Sequence, residues 1–543
     1  MNKQKTIRFL IMMILNIAIL NGVACFNNST NNNGNNGNNG NNGNGSTKED
    51  TSTPQVLSSS SEVFIVSDEA IVITFDESMD PSTLTAFIGD LSIGSGLTVV
   101  WSTTNTENDT LTITGNFPSG DQTLIVNAED TAGNAVSYSQ QNTVFTPVNG
   151  TAFYYVKTAA DGGDDLNDGK TPDTAKATIK NAILNASAGN AILVAQGVYE
   201  VNSSRLTHVK LKEGVSLYGG YSIDFSVRDY KNNISKILDT ASIDINDIRT
   251  NNNAYIRFRA VEFTAGLTNA TVVDGFTISG TVTHGLSSQD YAKVGVFSVF
   301  SLGPSAAPVF QNNIIYGGEN RAGTVKETYA VYIVNNQSEI SGIFRNNIIH
   351  GGGVNGSSSN GITVGGTKTL FYNNLIHGGA GTKSNIAVNS ITGVNLATFT
   401  NNNIVGISAT VSSYCVQEGT ENGSTFSNPL EFTNNNLFGC DVLYSDYTYS
   451  GNYYTDYTAI VDVNAMADTI FSGNISEDPG FVDAVTGDYR LQATSPVNVR
   501  EGGLDLSAVF AIDYDGNFRS SILNGSPTNA NATGWSIGPF ELD

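Results

Sequence analysis

Between residues 310 and 440 apolar and polar positions alternate in short bursts, and the same burst returns five times: FQNNIIYGG (310–318), FRNNIIHGGG (344–353), FYNNLIHGGA (371–380), FTNNNIVG (399–406) and FTNNNLFGC (432–440). Measured from Asn312 to Asn346, Asn373, Asn402 and Asn435, the steps are 34, 27, 29 and 33 residues. One unit therefore recurs with loops of varying length, which is the mark of a solenoid. Its alternation, with Phe310, Asn312 and Ile314 set against Gln311, Asn313 and Ile315, has the period of a strand. A unit this short cannot bury its own apolar face, so the pattern predicts stacked coils of a parallel β-helix. Asn tolerates left-handed backbone at the bend and can bond to the same residue in the coil above and below. The Gly pair after each burst marks the next corner.

Other patterns flank these coils. Short alternating segments at Val63–Val66, Ile71–Phe75, Leu97–Ser102, Thr110–Thr114 and Thr123–Ala128, separated by turn clusters, predict a β-sandwich over 54–147. Beyond it, a strand and an Asp/Gly loop precede Ile179, Ala182, Ile183 and Ala186, which share one helical face before Gly189. An amphipathic helix at the head of a solenoid is expected to cover the open apolar end of the first coil. Upstream of everything, residues 26–53 carry NNSTNNNGNNGNNGNNGNGS directly after Phe26, a flexible tether with almost nothing to bury.

The first 25 residues bear on compartment. Lys3, Lys5 and Arg8 precede an apolar run from Phe9 to Leu20, and Gly22-Val23-Ala24-Cys25 supplies small residues before a Cys. The run is too short for a permanent transmembrane helix. It resembles a bacterial lipoprotein signal, in the loose form of spirochaetes, which implies lipid on Cys25 as first residue of the mature chain. Ordinary secretory cleavage near Ala24 and an uncleaved anchor remain open. The expected organisation is thus signal 1–24, tether 25–53, sandwich 54–147 and β-helix with a C-terminal cap 148–543, placed at the outer membrane or cell surface or on the periplasmic side.

Further resemblances sharpen the fold. ITFDESMDPSTL (73–84), Trp101 with NDTLTI (108–113) and AEDTAGN (128–134) resemble bacterial immunoglobulin-like modules, usually spacers. FYYVKTAADGGDDLNDGKTPDTAKATIKNAI (153–183), AILVAQGVY (191–199), EGVSLYGGY (213–221) and VVDGFTISG (272–280) resemble the entry of right-handed parallel β-helix proteins of the pectate-lyase-like superfamily. The implied class is all-β: an Ig-like sandwich, then a right-handed parallel β-helix with a short capping helix. EDPGFVDAVTGDYRLQATSPVNV (477–499), DYDGNFR (513–519) and WSIGPFE (535–541) resemble the closing segment of secreted bacterial β-helix proteins, with Asn498 where Asp is common. Arg490, Asp513, Asp515 and Arg519 are read there as a structural cap.

That superfamily holds lyases, glycosidases, adhesins and passive stalks, so activity must be sought residue by residue. Asp239, Asp244, Asp247 and Arg249 form the densest acid and base group on the coils, yet strand alternation would send 244 and 247 to opposite faces. His350 and His377 share a register position with Tyr316, which suits stacking at a corner better than a metal; His208 and His284 have no motif around them. Asp161, Asp164, Asp165, Asn167 and Asp168, closed by Gly169, are the candidate Ca²⁺ loop, against an Asx-turn loop bonded to its own backbone. Cys415 and Cys440, 25 residues apart, are either bridged between adjacent coils or two buried thiols.

With 26 basic and 50 acidic residues the net charge is −24, which excludes nucleic acid and a polybasic hold on anionic lipid. The leading expectation is a surface binding or structural lipoprotein whose partner is a glycan or a host surface protein, contacted by loops at 281–308, 319–341 and 408–429. The alternative is a cell-attached polysaccharide lyase or glycoside hydrolase acting on acidic glycans.

Overall fold

The computed structural model describes residues 51–542 with breaks, the longest at 241–255, 281–290, 319–326, 420–427 and 520–533. The elements named below lie in one unit of the chain, Ser52–Asp543. It is an almost wholly β protein. Among the described residues no helix is long and apolar enough to cross a membrane.

Residues 56–145 form one nine-stranded sheet, mostly antiparallel, in which Val56–Ser59 and Phe64–Val66 are the two outermost strands. Their order does not leave two open edges far apart. Ile65 from one outermost strand shares a core with Ile73, Ile88, Leu111 and Val126, and Val56 from the other packs against it, so the sheet curls around one apolar centre. The last strand, Ala135–Phe145, delivers Phe145 edge-on to Phe153 and Tyr218, at ring separations of 5.6 and 5.8 Å, where the coils begin.

From Phe153 onward three sheets stack in parallel, and each coil contributes a strand to each. The first runs from Phe153–Val156 to Ile470–Ser472 in ten strands, the second from Gly197–Val201 to Asn436–Phe438 in eight, and the third from Val209–Lys210 to Val442–Thr448, closed by the antiparallel strand Tyr453–Tyr457. This is the arrangement of a β-helix. The helix Ile179–Asn185 buries Ile179, Ala182 and Ile183, and Ala186 behind it, in the same core as Val156, Ile192 and Val209. Thr178 caps it by accepting from the Asn181 N–H.

The bend between first and second sheets shows why Asn recurs. Asn312, Asn346, Asn373, Asn401 and Asn434 have φ between 51° and 60°, a left-handed geometry that Asn adopts more readily than other side-chain-bearing residues. The following Asn is the rung of an internal ladder. Asn347 accepts the Asn313 N–H at 3.0 Å, Asn374 that of Asn347 at 2.9 Å, Asn402 that of Asn374 at 2.9 Å and Asn435 that of Asn402 at 3.0 Å. Each rung donates back to a carbonyl one coil earlier, Asn313 to Val273 O and the later rungs to a Phe, as Asn374 does to Phe344 O at 2.9 Å. Asn464, at the end of the helix Ile460–Asn464, bonds to Asn474 and finishes the ladder.

This geometry corrects two expectations. Asn401 and Asn434, not Asn402 and Asn435, occupy the place of Asn312, so the repeat steps are 34, 27, 28 and 33 residues. A left-handed residue also resets strand alternation. Phe310 and Ile315 therefore both face the lumen, with Phe344, Ile349, Phe371, Ile376, Phe399 and Ile404 in the same core. Unbroken alternation would set Ile314, and with it Ile348 and Leu375 at the same repeat position, on the Phe310 face; Ile348 and Leu375 are instead buried on the outer side against Tyr514 and Phe540.

Tyr514 and Phe540 belong to a C-terminal strap laid along the flank of the coils. The left-handed Asn column holds it by its main chain: Asn346 donates to Ile512 O, Asn373 to Ser536 O and Gly538 O, Asn401 to Leu504 O and Asn434 to Gly502 O, at 2.7–3.1 Å. Arg519 and Glu541 form an ion pair beneath it, both almost fully buried. The segment read as a closing cap thus covers a side of the coils, while the helix Ile460–Asn464 sends Val463 into the core at the final turn.

Candidate functional site

The acidic entry loop is occupied by its own bonds. Asp161 accepts from Thr158 Oγ1, Asp164 from the Leu166 N–H, and Asp165 from the N–H groups of Ala177 and Thr178. Asp168 accepts from Thr174 Oγ1 at 2.7 Å and the Lys170 N–H, which holds its carboxyl below the usual range. Asn167 donates to Ala175 O. The buried Lys176 ammonium donates to the carbonyls of Asp165 and Asn167, so a cation of the chain itself already sits on the oxygens a hard metal ion would seek. These residues fit a self-satisfied Asx-turn loop and do not fit a calcium cage. Among the described residues no group of three or more His, Cys, Asp or Glu is arranged to hold a metal ion.

The other sequence candidates separate as follows. Cys25, His284, Asp244, Asp247 and Arg249 lie outside the described residues, as does most of the loop material at 281–308, 319–341 and 408–429. Asp239 is buried in the second sheet. Cys415 and Cys440 are joined by a disulfide between adjacent coils, with Cα atoms 5.5 Å apart. His350 and His377 stack with ring centres 4.5 Å apart, and each Nδ1 accepts a Gly N–H two residues on. Burial, and then the neighbouring His350, push His377 down to about 3, so its imidazole is neutral. Of the C-terminal set, Arg519 and Asp513 are buried in the strap, Asp515 pairs with Lys231 at 3.0 Å and Arg490 with Asp488 at 2.6 Å.

Two constellations were not visible in the sequence. On the outer side of the first sheet Arg228 pairs with Asp274 at 2.8 Å, Gln311 donates to Asp274, and Arg345 donates to Gln311 and to Val509 O of the strap. This polar relay is fully engaged. At the head of the third sheet His208 Nε2 lies 3.2 Å from Glu262, without the alignment of a hydrogen bond, and Arg259 also contacts Glu262. Burial opposes ionisation of Glu262, but His208 and Arg259 outweigh it and hold the carboxyl below its ordinary value. Among the described residues the buried Nδ1 of His208 has no hydrogen-bond partner. Strand register, Val209 opposite Val261 and Lys210 opposite Glu262, makes this meeting across more than fifty residues, a distance at which no local motif could announce it.

At the far end the third sheet closes with the hairpin Val442–Thr448 and Tyr453–Tyr457. Tyr447 and Tyr454 face each other across it with ring centres 5.0 Å apart, and Tyr453 and Tyr454 are about half exposed, at 54 % and 48 %. Among the described residues this is the aromatic surface most open to a ligand.

No family model matches the chain, and no curated protein matches it. Among solved structures, CopC from Methylosinus trichosporium OB3b is similar at 14% identity over 17% of this chain and 94% of that chain, with a TM-score of 0.14. The Yersinia enterocolitica family 28 exopolygalacturonase is similar at 11% identity over 72% of this chain and 93% of that chain, also with a TM-score of 0.14. Likenesses this slight transfer no activity.

Proposed function

We propose that this chain is an exported lipoprotein, anchored through lipid on Cys25 at the outer membrane or cell surface, that presents a right-handed β-helix as a binding surface for a glycan or a host surface protein. The Asn/Gly tether and an Ig-like sandwich act as spacers between lipid and coils. The observation that carries this reading is the fate of the polar side chains. Acids and bases of the entry loop, the first sheet and the strap are bonded to the chain's own backbone or to one another, while aromatic rings on the terminal hairpin stay open. A surface of that kind holds a ligand without supplying proton transfer.

The second reading is a polysaccharide lyase or glycoside hydrolase, favoured by His208, whose Nδ1 has no partner among the described residues, beside ionised Glu262. Anchoring is tested by fractionation: Cys25→Ala should move the protein from the detergent phase to the aqueous phase. Unchanged partitioning of the variant would rule out the lipid anchor.

A further inference from the structure

Strand register places four side chains of the terminal hairpin on one face. Ser445 stands opposite Asp456 and Tyr447 opposite Tyr454, so alternation brings the two aromatic rings beside one carboxylate at a spacing of about 7 Å along the strand. The rings are tilted by 59°, two walls of a shallow angle rather than a flat stack. Ser445 Oγ donates to Asp456 Oδ1 at 2.6 Å and fixes the exposed carboxylate. Gln417, which pairs with Ser445 in the next coil, adds an amide to the same face. Burial, with Tyr447 and Tyr414 nearby, raises the Tyr454 phenol, which stays neutral.

We propose that this face is a subsite for a protonated amino sugar within a glycan chain. Deepening the glycan-binding reading, the assignment rests on it. The argument is charge complementarity. The negative faces of Tyr rings attract a cation, an adjacent carboxylate pairs with it, and the exposed Tyr454 phenol and the Gln417 amide remain for sugar hydroxyls, the Ser445 hydroxyl being buried and given to Asp456. A uronate chain would meet Asp456 and a protein of net charge −24, and is disfavoured. A neutral sugar gains the ring contact alone. A second copy docking on the same hairpin would bring together two strongly acidic chains.

The test uses the full chain in detergent and three probes: a glucosamine hexasaccharide, its N-acetylated counterpart and a galacturonate hexasaccharide, titrated by calorimetry near pH 6. The glucosamine oligomer should bind about tenfold more tightly than either of the others, and Tyr454→Ala should weaken it by about tenfold. Asp456→Asn should weaken the glucosamine oligomer and flatten its salt dependence, and Tyr454→Phe should retain binding. Glucosamine binding unchanged in Tyr454→Ala and Asp456→Asn overturns the subsite and leaves glycan binding elsewhere on the coils standing. Absence of glucosamine binding overturns it as well, and binding of the other two probes would then show that the broader reading survives. A concentration-dependent dimer abolished by Tyr454→Ala also overturns it, in favour of an interface between copies.

Discussion

Each Asn of a repeat pair has its own task, set by backbone geometry. The first accepts a left-handed φ and, from Asn346 on, aims its amide at the strap, while Asn312 donates to Asp274; the second turns inward and bonds to its neighbours on the ladder. Asn374 serves the Asn347 N–H and the Phe344 carbonyl, both buried. Asn374→Ala leaves them unpaired and should cost about 2–5 kcal/mol in chemical denaturation. A loss within error of zero would mean that water or a shifted backbone replaces the rung. His377 carries a pH signature. Its folded value is depressed to about 3 from an ordinary 6.5, so its contribution is complete above pH 6.5 and is lost as pH falls towards 3. Stability should decline through that window by up to about 1.4 kcal/mol per pH unit from this group. His377→Asn, which keeps an acceptor for the Gly379 N–H, should flatten the decline, seen by comparing denaturation midpoints at pH 7 and pH 4.5.

At the scale of elements, local periodicity was legible and its interruptions were not. The helical face of Ile179, Ala182 and Ile183 lies where the 3.6-residue pattern puts it. Alternation carried straight through Asn346 would put Ile348 in the lumen, but the left-handed φ of 53° at Asn346 shifts the phase by one residue. Asn after Asn with an aliphatic pair behind it contains that information only if the bend is assumed. The strap's place was hidden for another reason: Asn346 reaches Ile512 across 166 residues and bonds to its carbonyl, an atom every residue has. The Arg519 and Glu541 pair is the strap's buried charge. Arg519→Met strands Glu541, which burial already pushes up to about 7 against the attraction of Arg519. We expect a loss of about 3–5 kcal/mol, with limited proteolysis cutting within 477–541 before the coils. Cleavage starting in the coils instead would show that the strap does not open first.

For the whole molecule, the described residues are a curled sheet followed by a stack of coils, and the proposed lipid and tether would make of them a device for presenting a surface. The class of fold was readable because the repeat appears five times and each copy checks the others. The chemistry was less so. His208 meets Glu262 only where neighbouring coils come into register, and no single stretch of sequence writes that pair; Tyr447 and Tyr454 lie within one short hairpin, and only its register brings the two rings together. The central claim is binding without turnover. The full chain should be incubated in detergent with a panel of neutral, amino and uronate polysaccharides, with Ca²⁺ present, while bound glycan, unsaturated-product absorbance and new reducing ends are recorded together. The account predicts retained glycan and no new ends of either kind. Unsaturated or reducing ends that accumulate with wild type and vanish with His208→Ala or Glu262→Gln would contradict it and make the coils an enzyme.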